Sequence, residues 1–289
     1  MTAKLEVLKP GPFTTVQDLG RPGLAAIGVG RSGAADRGAL RLANRLVGNP
    51  EGHAALESTL GGLALRASET VTVAVTGAPC PITAGGRAAG PNAPIVLRPG
   101  DGLEIGTPER GLRCYVAVRG GLDVAPVLGA RATDTLGKLG PPPLVAGTTL
   151  PVGQVTLGPP TVDLAPRPGL PAEPCLRITP GPRLDWFTAD ALATLVSRPY
   201  TVTSDVDRVG VRLTGPPLAR AREGELPPEA CVPGALQVPP SGTPILFLAD
   251  HPVTGGYPVI GVVGEEDLDL AAQLRPGIPV RFALSRLTA

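Results

Sequence analysis

The chain is 289 residues long, 43% apolar and nearly neutral at +1, with only 3% aromatic residues. That length holds one large or two medium domains with real cores, and the charge balance gives no electrostatic basis for binding nucleic acid or an anionic membrane. Gly (39) and Pro (36) are both abundant; beside so much apolar content they signal many short strands joined by many turns rather than disorder.

Residues 4–8 alternate apolar and polar and read as a first strand, ended by Pro10-Gly11-Pro12. Gln17-Asp18-Leu19-Gly20-Arg21 is a polar loop bracketed by glycine. Gly28-Val29-Gly30-Arg31-Ser32-Gly33 spells G-x-G-x-x-G. A dinucleotide site, however, needs a core strand before that motif and a βαβ unit after it. Residues 24–27 are a poor strand, and no strand–helix alternation follows, so no nucleotide cofactor is expected there. A helix does follow: Ala39, Leu40, Ala43, Leu46 and Val47 form a stripe at 3–4 spacing, with Ser32 or Asp36 as cap and Gly48-Asn49-Pro50 as stop. Its entry loop can cap the helix or offer N–H groups to an anion.

From Ala55 onward the pattern is β. Short runs at 63–65, 71–75, 95–97, 103–105 and 114–118 are separated by Gly, Pro and Asp. Residues 97–103 (LRPGDGL) read as a hairpin. Residues 129–138 (GARATDTLGK) evoke a phosphate loop, but seven residues separate the glycines and Leu139 stands where a magnesium-binding Ser or Thr belongs. Arg131 and Lys138 remain candidates for an anionic ligand, or simply line a solvated loop.

Pro-rich sequence over 151–171 reads as a connection between halves at 1–150 and 172–289. The second half opens with a strand at 176–179. A helix capped by Asp185 and carrying Trp186, Phe187, Leu192 and Leu195 is expected next, and then a strand at 200–203. Residues 204–208 (SDVDR) suit an ion-pair turn, and 222–229 a polar surface loop. A core strand at 244–249 ends on Asp250-His251, and the loop Pro252-Val253-Thr254-Gly255-Gly256-Tyr257-Pro258 leads to a strand at 259–263. This stretch reads either as a tight structural hairpin or as a loop that presents chemistry from rigid strands. A helix over 265–274 and a last strand over 280–284 finish the chain. The four cysteines, Cys80, Cys114, Cys175 and Cys231, lack C-x-x-C spacing, so no metal site is expected. With no signal peptide, they read as reduced thiols of a cytoplasmic protein. No apolar run approaches the ~20 residues that span a bilayer.

Three blocks carry a family resemblance. They are G-x-x-Q-V-P-x-x-G-x-P-I followed by L-x-A-D-x-x-x-T-G-G-Y-P (from Gly234), SGAAD…ANRLVGN…LESTL (from Ser32), and DRVGVRL (from Asp207). Together they resemble the biotin-dependent carboxyltransferase-type family, which includes the carboxyltransferase domain of urea carboxylase, allophanate hydrolase subunit 2 and the KipA-like C subunit of 5-oxoprolinase. One departure lies at Pro228 and Ala230, where serine and glycine are expected.

The resemblance implies a mainly β fold of two packed cyclophilin-like barrel halves sharing one cleft. It also implies the C subunit of a complex that opens 5-oxoproline to glutamate at the expense of ATP. The expected partners are a KipI-like B subunit and a lactam-utilisation-type A subunit. No cofactor is expected on this chain; ATP is used by the assembled complex. Two alternatives stand beside this reading. One is a biotin-dependent carboxyltransferase for urea or a related amide, and the other a KipA-like antagonist of a KipI-type histidine-kinase inhibitor. Asp250, His251, Tyr257 and Asp207 are the candidate catalytic residues. Ser32, Asp36, Arg131, Lys138, Arg208, Gln237 and Thr254 are the candidate substrate contacts.

Overall fold

The computed structural model describes residues 2–224 and 226–285, and Glu225 of the loop expected at 222–229 lies outside them. The chain is mainly β and divides into two compact units. The first comprises Met1–Arg21, Ser32–Asp134 and Lys138–Leu170; the second comprises Pro22–Arg31, Thr135–Gly137 and Pro171–Ala289. Among the described residues no helix is long and apolar enough to cross a membrane.

The first unit is built from two antiparallel sheets. One has six strands, in the order Thr149–Pro151, Lys4–Pro10, Leu63–Ala67, Gly102–Ile105, Ile82–Ala84 and Arg87–Ala89. The other has five, in the order Phe13–Gln17, Ala55–Thr59, Arg113–Val118, Val71–Gly77 and Pro94–Leu97. Leu5, Val7, Leu65 and Leu103 of the first sheet share a core with Val16, Leu56, Val73 and Val116 of the second. The strand Arg113–Val118 is buried along its whole length. Its side chains alternate in direction: Cys114, Val116 and Val118 join the core between the sheets, whereas Tyr115 and Ala117 face a second cluster. That cluster is formed by the stripe Ala39, Leu40, Ala43 and Leu46 of α1 (Arg37–Leu46) against Ala55, Ala74, Tyr115 and Ala117. Alanines on the sheet let the helix approach closely, and each fully buried leucine contributes about 2 kcal/mol of transfer free energy.

The Asp36 carboxylate caps α1, accepting from the Ala39 amide at 2.7 Å. A buried network sets the approach to that cap. The Tyr115 hydroxyl donates to Glu57 Oε2 at 2.7 Å and accepts from the Asp36 amide at 2.8 Å, while the Ala35 amide donates to the same Glu57 oxygen at 3.0 Å. Burial first, and then the Glu57 charge, push the Tyr115 phenol well above its ordinary pKa.

The second unit contains a closed barrel of seven strands. In order around it they are Cys175–Pro180, Val259–Val263, Ala235–Gln237, Ile245–Phe247, Gly210–Thr214, Tyr200–Val206 and Pro279–Leu284. All neighbours run antiparallel except the closure, where Pro279–Leu284 lies parallel to Cys175–Pro180. Leu176, Ile178, Val202, Val211, Leu213, Leu236, Leu246 and Ile260 fill it, and Tyr200 packs edge-on to Phe282 with centroids 6.1 Å apart.

Four expectations need correction. The 97–103 segment turns, with the Asp101 amide donating to the Arg98 carbonyl, yet it joins two sheets instead of forming a hairpin: Pro94–Leu97 pairs with Val71–Gly77, and Gly102–Ile105 with Leu63–Ala67. The strands on either side of the 250–258 loop are not neighbours either, because Ala235–Gln237 lies between them. The helix expected from Asp185 is broken into a 3-10 turn at Leu184–Trp186 and α2 (Ala191–Ser197), since Phe187 is extended and bridges to Arg220. Residues 204–206 continue a strand, so the 204–208 turn is shorter than expected.

Two outcomes follow from this architecture. Gly120 has φ +94°, its amide donates to Asn49 Oδ1 at 2.8 Å, and an added Cβ would lie 1.9 Å from the Gly153 carbonyl oxygen. Gly120→Ala is expected to cost about 2 kcal/mol or more, seen as a melting temperature lower by about 5 °C. Gly90→Ala, with open space around it, should leave melting unchanged, and equal melting of the two variants would refute the argument.

The second outcome concerns Asp267 of α3 (Glu265–Ala271), which accepts from the Arg177 amide at 2.7 Å and from its guanidinium at 2.8 and 2.6 Å. The hydrogen bond from Arg177 holds this carboxyl below its ordinary pKa. Its contribution is therefore complete above the unfolded value near 4 and is lost as pH falls through the lower folded value. Acid titrations of stability should be flatter below about pH 4 in Asp267→Asn than in the native chain.

Candidate functional site

Asp250 follows the barrel strand Ile245–Phe247, and Arg208 precedes its neighbour Gly210–Thr214, so one ladder brings both to the same place. Neither side chain is more than 2% exposed. Arg208 grips the carboxylate with two parallel bonds, Nε to Oδ2 and Nη2 to Oδ1, both 2.9 Å. Thr135 completes the arrangement, donating its amide at 2.9 Å and its hydroxyl at 2.7 Å to Oδ2. Main-chain bonds repeat the link, since the Asp250 amide donates to the Arg208 carbonyl at 2.9 Å. These four donors fix the carboxylate in one orientation. This geometry ties Asp250 to Arg208 and Thr135. Thr135 carries no signal in the sequence: it is 115 positions from its partner, in a segment read as a solvated loop.

His251 is 7% exposed and stacks on Phe247 with centroids 6.1 Å apart, and its Nδ1 lies 2.7 Å from the Pro252 carbonyl oxygen. A ring nitrogen meeting a carbonyl oxygen is the donor, so Nδ1 carries the proton shared with the Pro252 carbonyl. Asp207 directs Oδ1 onto its own turn, accepting from the Val209 amide at 2.8 Å and the Gly210 amide at 2.9 Å. With Ser204, Asp205 and Arg212 it lines a separate cavity of about 440 Å³.

The loop beyond His251 presents the more accessible groups. Thr254–Gly255 pairs with Glu229–Ala230, and the Cys231 amide donates to the Val253 carbonyl at 2.9 Å. Ala230 thus serves as a strand residue, while Pro228 is exposed just before it. Gln237, from the strand between the two loop strands, donates Nε2 to the Tyr257 carbonyl at 3.1 Å. A Cβ on Gly255 would fall 2.5 Å from that same amide nitrogen, so a larger residue there would displace the end of the Gln237 side chain. Thr254 is exposed and Tyr257 half-buried, and the Tyr257 hydroxyl has no hydrogen-bond partner among the described residues. Arg208, Asp250, His251, Gln237, Thr254 and Tyr257 thus belong to one connected set of loops on the barrel.

The remaining candidates lie in the first unit. Ser32 is fully buried with φ +54° and donates to the Thr133 carbonyl at 3.2 Å. Gln17 reaches the same carbonyl at 2.9 Å, and Arg21 the Ala132 carbonyl at 2.5 Å. Asp36 is the helix cap. Lys138 is exposed. Residues 25–27, ahead of the glycine motif, form a 3-10 turn that ends on Gly28, not the core strand a dinucleotide site requires. Arg131 pairs with Asp123 at 3.3 Å and lines a cavity of about 260 Å³ with Asp18, His53, Gly121 and Gln154. Burial, and then the Arg131 charge, hold the His53 imidazole below its ordinary pKa, which favours its neutral form at neutral pH. His53 carries no local signal in the sequence, because its neighbours in this cavity are brought to it only by the fold.

With that geometry in view, comparison with known proteins gives a consistent outcome. The family model for the carboxyltransferase domain, subdomain A and B, matches residues 27–284. The chain is 35% identical to the 5-oxoprolinase C subunit of Escherichia coli (strain K12), over 96% of its own length and 90% of the relative's. It is 33% identical to the urea amidolyase of Lachancea kluyveri, again over 96% of its length but only 17% of that protein. The solved structure of the K. lactis urea amidolyase superposes with a TM-score of 0.92 at 31% identity, covering 99% of this chain and 19% of that one.

The buried pair supplies a direct test. Asp250→Asn opposes an amide NH₂ to the Arg208 donors and leaves a buried cation uncompensated, which is expected to cost about 3–5 kcal/mol in chemical denaturation. Replacing both partners by apolar residues (Arg208→Met with Asp250→Leu) should restore much of the loss. Native melting in folded Asp250→Asn would contradict this account.

Proposed function

The chain belongs to the family of carboxyltransferase domains with subdomains A and B, and on that premise we propose that it serves as the C subunit of a 5-oxoprolinase. The observation that carries this reading is the near end-to-end match with the Escherichia coli protein, over 96% of this chain and 90% of that one. Against urea amidolyase the same residues answer to 17% of a much longer protein. In this reading the complex hydrolyses the lactam C–N bond of 5-oxoproline to give glutamate. ATP is used by the assembled complex. A KipI-like B subunit and a lactam-utilisation-type A subunit are the partners.

The barrel loops supply what such a substrate needs. A lactam presents one carbonyl acceptor and one N–H donor. In this reading the Tyr257 hydroxyl donates to the carbonyl, where negative charge builds as the amide is attacked. The exposed Thr254 hydroxyl is a second donor. His251 is the candidate for proton movement. Arg208, Asp250 and Thr135 keep that loop fixed, and Gln237 fixes the backbone of Tyr257.

A second reading has its own support in the TM-score of 0.92 with the K. lactis urea amidolyase. The chain would then transfer a carboxyl group from carboxylated biotin, presented by another domain, to urea or a related amide. The same phenol would hold the acceptor's carbonyl oxygen.

Co-expression with the two partner proteins separates the readings. ATP-dependent release of glutamate from 5-oxoproline should require this chain, and Tyr257→Phe should lower turnover by roughly 10²-fold with melting unchanged. Equal glutamate release with and without the chain would defeat the first reading. Carboxylation of urea that is blocked by avidin would establish the second.

A further inference from the structure

Two of the four cysteines, 34 positions apart in sequence, meet in the first unit with sulfurs 3.7 Å apart. Gly77 ends its strand opposite Cys114. The chain then folds back, so that Cys80, three residues on, overlies the same partner. Cys114 is fully buried, and its thiol also lies 3.4 Å from the Ala78 carbonyl oxygen. Cys80 is partly exposed. A disulfide needs about 2.05 Å, so the two are unbonded neighbours.

Their environments divide the roles. The hydrogen bond from Cys114 lowers the Cys80 thiol below its ordinary pKa, while that same bond and burial raise Cys114 well above its own. The accessible member therefore carries more thiolate, and the thiolate is the nucleophile toward oxidants. Elsewhere, Cys175 is exposed, and burial raises the Cys231 thiol.

We propose that Cys80 and Cys114 form a redox modification site, in which a peroxide oxidises Cys80 and Cys114 resolves the product as an intramolecular disulfide. In the first step the Cys80 thiolate attacks one peroxide oxygen and the O–O bond breaks. Cys80 becomes a sulfenic acid, oxidised by two electrons, and the other oxygen leaves as hydroxide, reduced by the same pair. In the second step the Cys114 sulfur attacks the Cys80 sulfur and the S–O bond breaks. The departing hydroxide takes the Cys114 proton and leaves as water. Two thiols and one hydrogen peroxide give one disulfide and two waters.

The bond would connect two parts of one core. Cys114 belongs to the five-stranded sheet, and Cys80 leads into Ile82–Ala84 of the six-stranded sheet. Closing that loop restricts the unfolded chain and so stabilises the unit.

The experiment uses the full-length chain carrying Cys175→Ser, which removes the exposed competing thiol. It is treated with near-stoichiometric hydrogen peroxide at neutral pH, alkylated and mapped by mass spectrometry. The expected product has lost the mass of two hydrogens, yields a Cys80–Cys114 linked peptide, melts about 5 °C higher or more and reverts with dithiothreitol. In Cys80→Ser the linked peptide and the melting shift should both be missing. Conversion of Cys80 to sulfinic acid with Cys114 still alkylatable after unfolding would overturn the proposal. Oxidation of Cys231 before any change at Cys80 would overturn it as well.

Discussion

The Arg208–Asp250 pair is the constraint on which the barrel's loops depend. Taking a carboxylate and a guanidinium out of water costs several kcal/mol for each ion, and mutual attraction offsets this only when geometry is good and the remaining sites are filled. Here the guanidinium fork meets both oxygens, and Thr135 adds an amide and a hydroxyl. Three chain segments, around 135, 208 and 250, must therefore arrive together. The order imposed on Asp250 extends to its neighbours. His251 is held between Phe247 and the Pro252 carbonyl, and Tyr257 is fixed through its own carbonyl by Gln237. The residue with the strongest sequence signal is the anchor, and Thr254 and Tyr257 beyond it stay more accessible.

The first unit solves a similar problem with a different set of groups. Glu57, 1% exposed, lies 3.6 Å from an equally buried Arg113 and receives the Tyr115 hydroxyl and the Ala35 amide. Through Tyr115 this charge reaches the Asp36 amide and so the start of α1. At the other end of the helix, Asn44 donates to the His53 carbonyl, and Asn49 links Asn44, the Val118 carbonyl and the Gly120 amide. Family-like blocks such as SGAAD and ANRLVGN thus mark, in large part, how a helix is pinned at both ends to a sheet.

What was legible in the sequence follows from the range of the forces involved. α1 could be read because its apolar stripe, its cap at Asp36 and its stop near Gly48 lie within a few residues of one another. The strand at 114–118 could be read because burial on both faces makes that run continuously apolar. Errors arose where strand neighbours had to be guessed. Residues 97–103 and 250–258 both look like hairpins locally, but the insertion of Ala235–Gln237 and the split between sheets are decided by distant segments. Mistaking Phe187 for a helix residue had the same origin, since its bridge to Arg220 is remote in sequence. Thr135, His53 and the Cys80–Cys114 meeting had no local signature at all.

The Thr135–Asp250 contact also has a meaning in time. During synthesis Thr135 leaves the ribosome 115 residues ahead of Asp250, an interval of roughly 6–20 s at ordinary elongation rates. For that interval the segment Thr135–Gly137, which belongs to the second unit, is already made while most of that unit's strands are not. The nascent chain must keep it exposed, a hydroxyl and an amide waiting in water for a carboxylate that does not yet exist. The barrel can gain its full set of contacts only late in translation, and a fragment begun at Pro171 would carry Asp250 and Arg208 without the third member of their cluster.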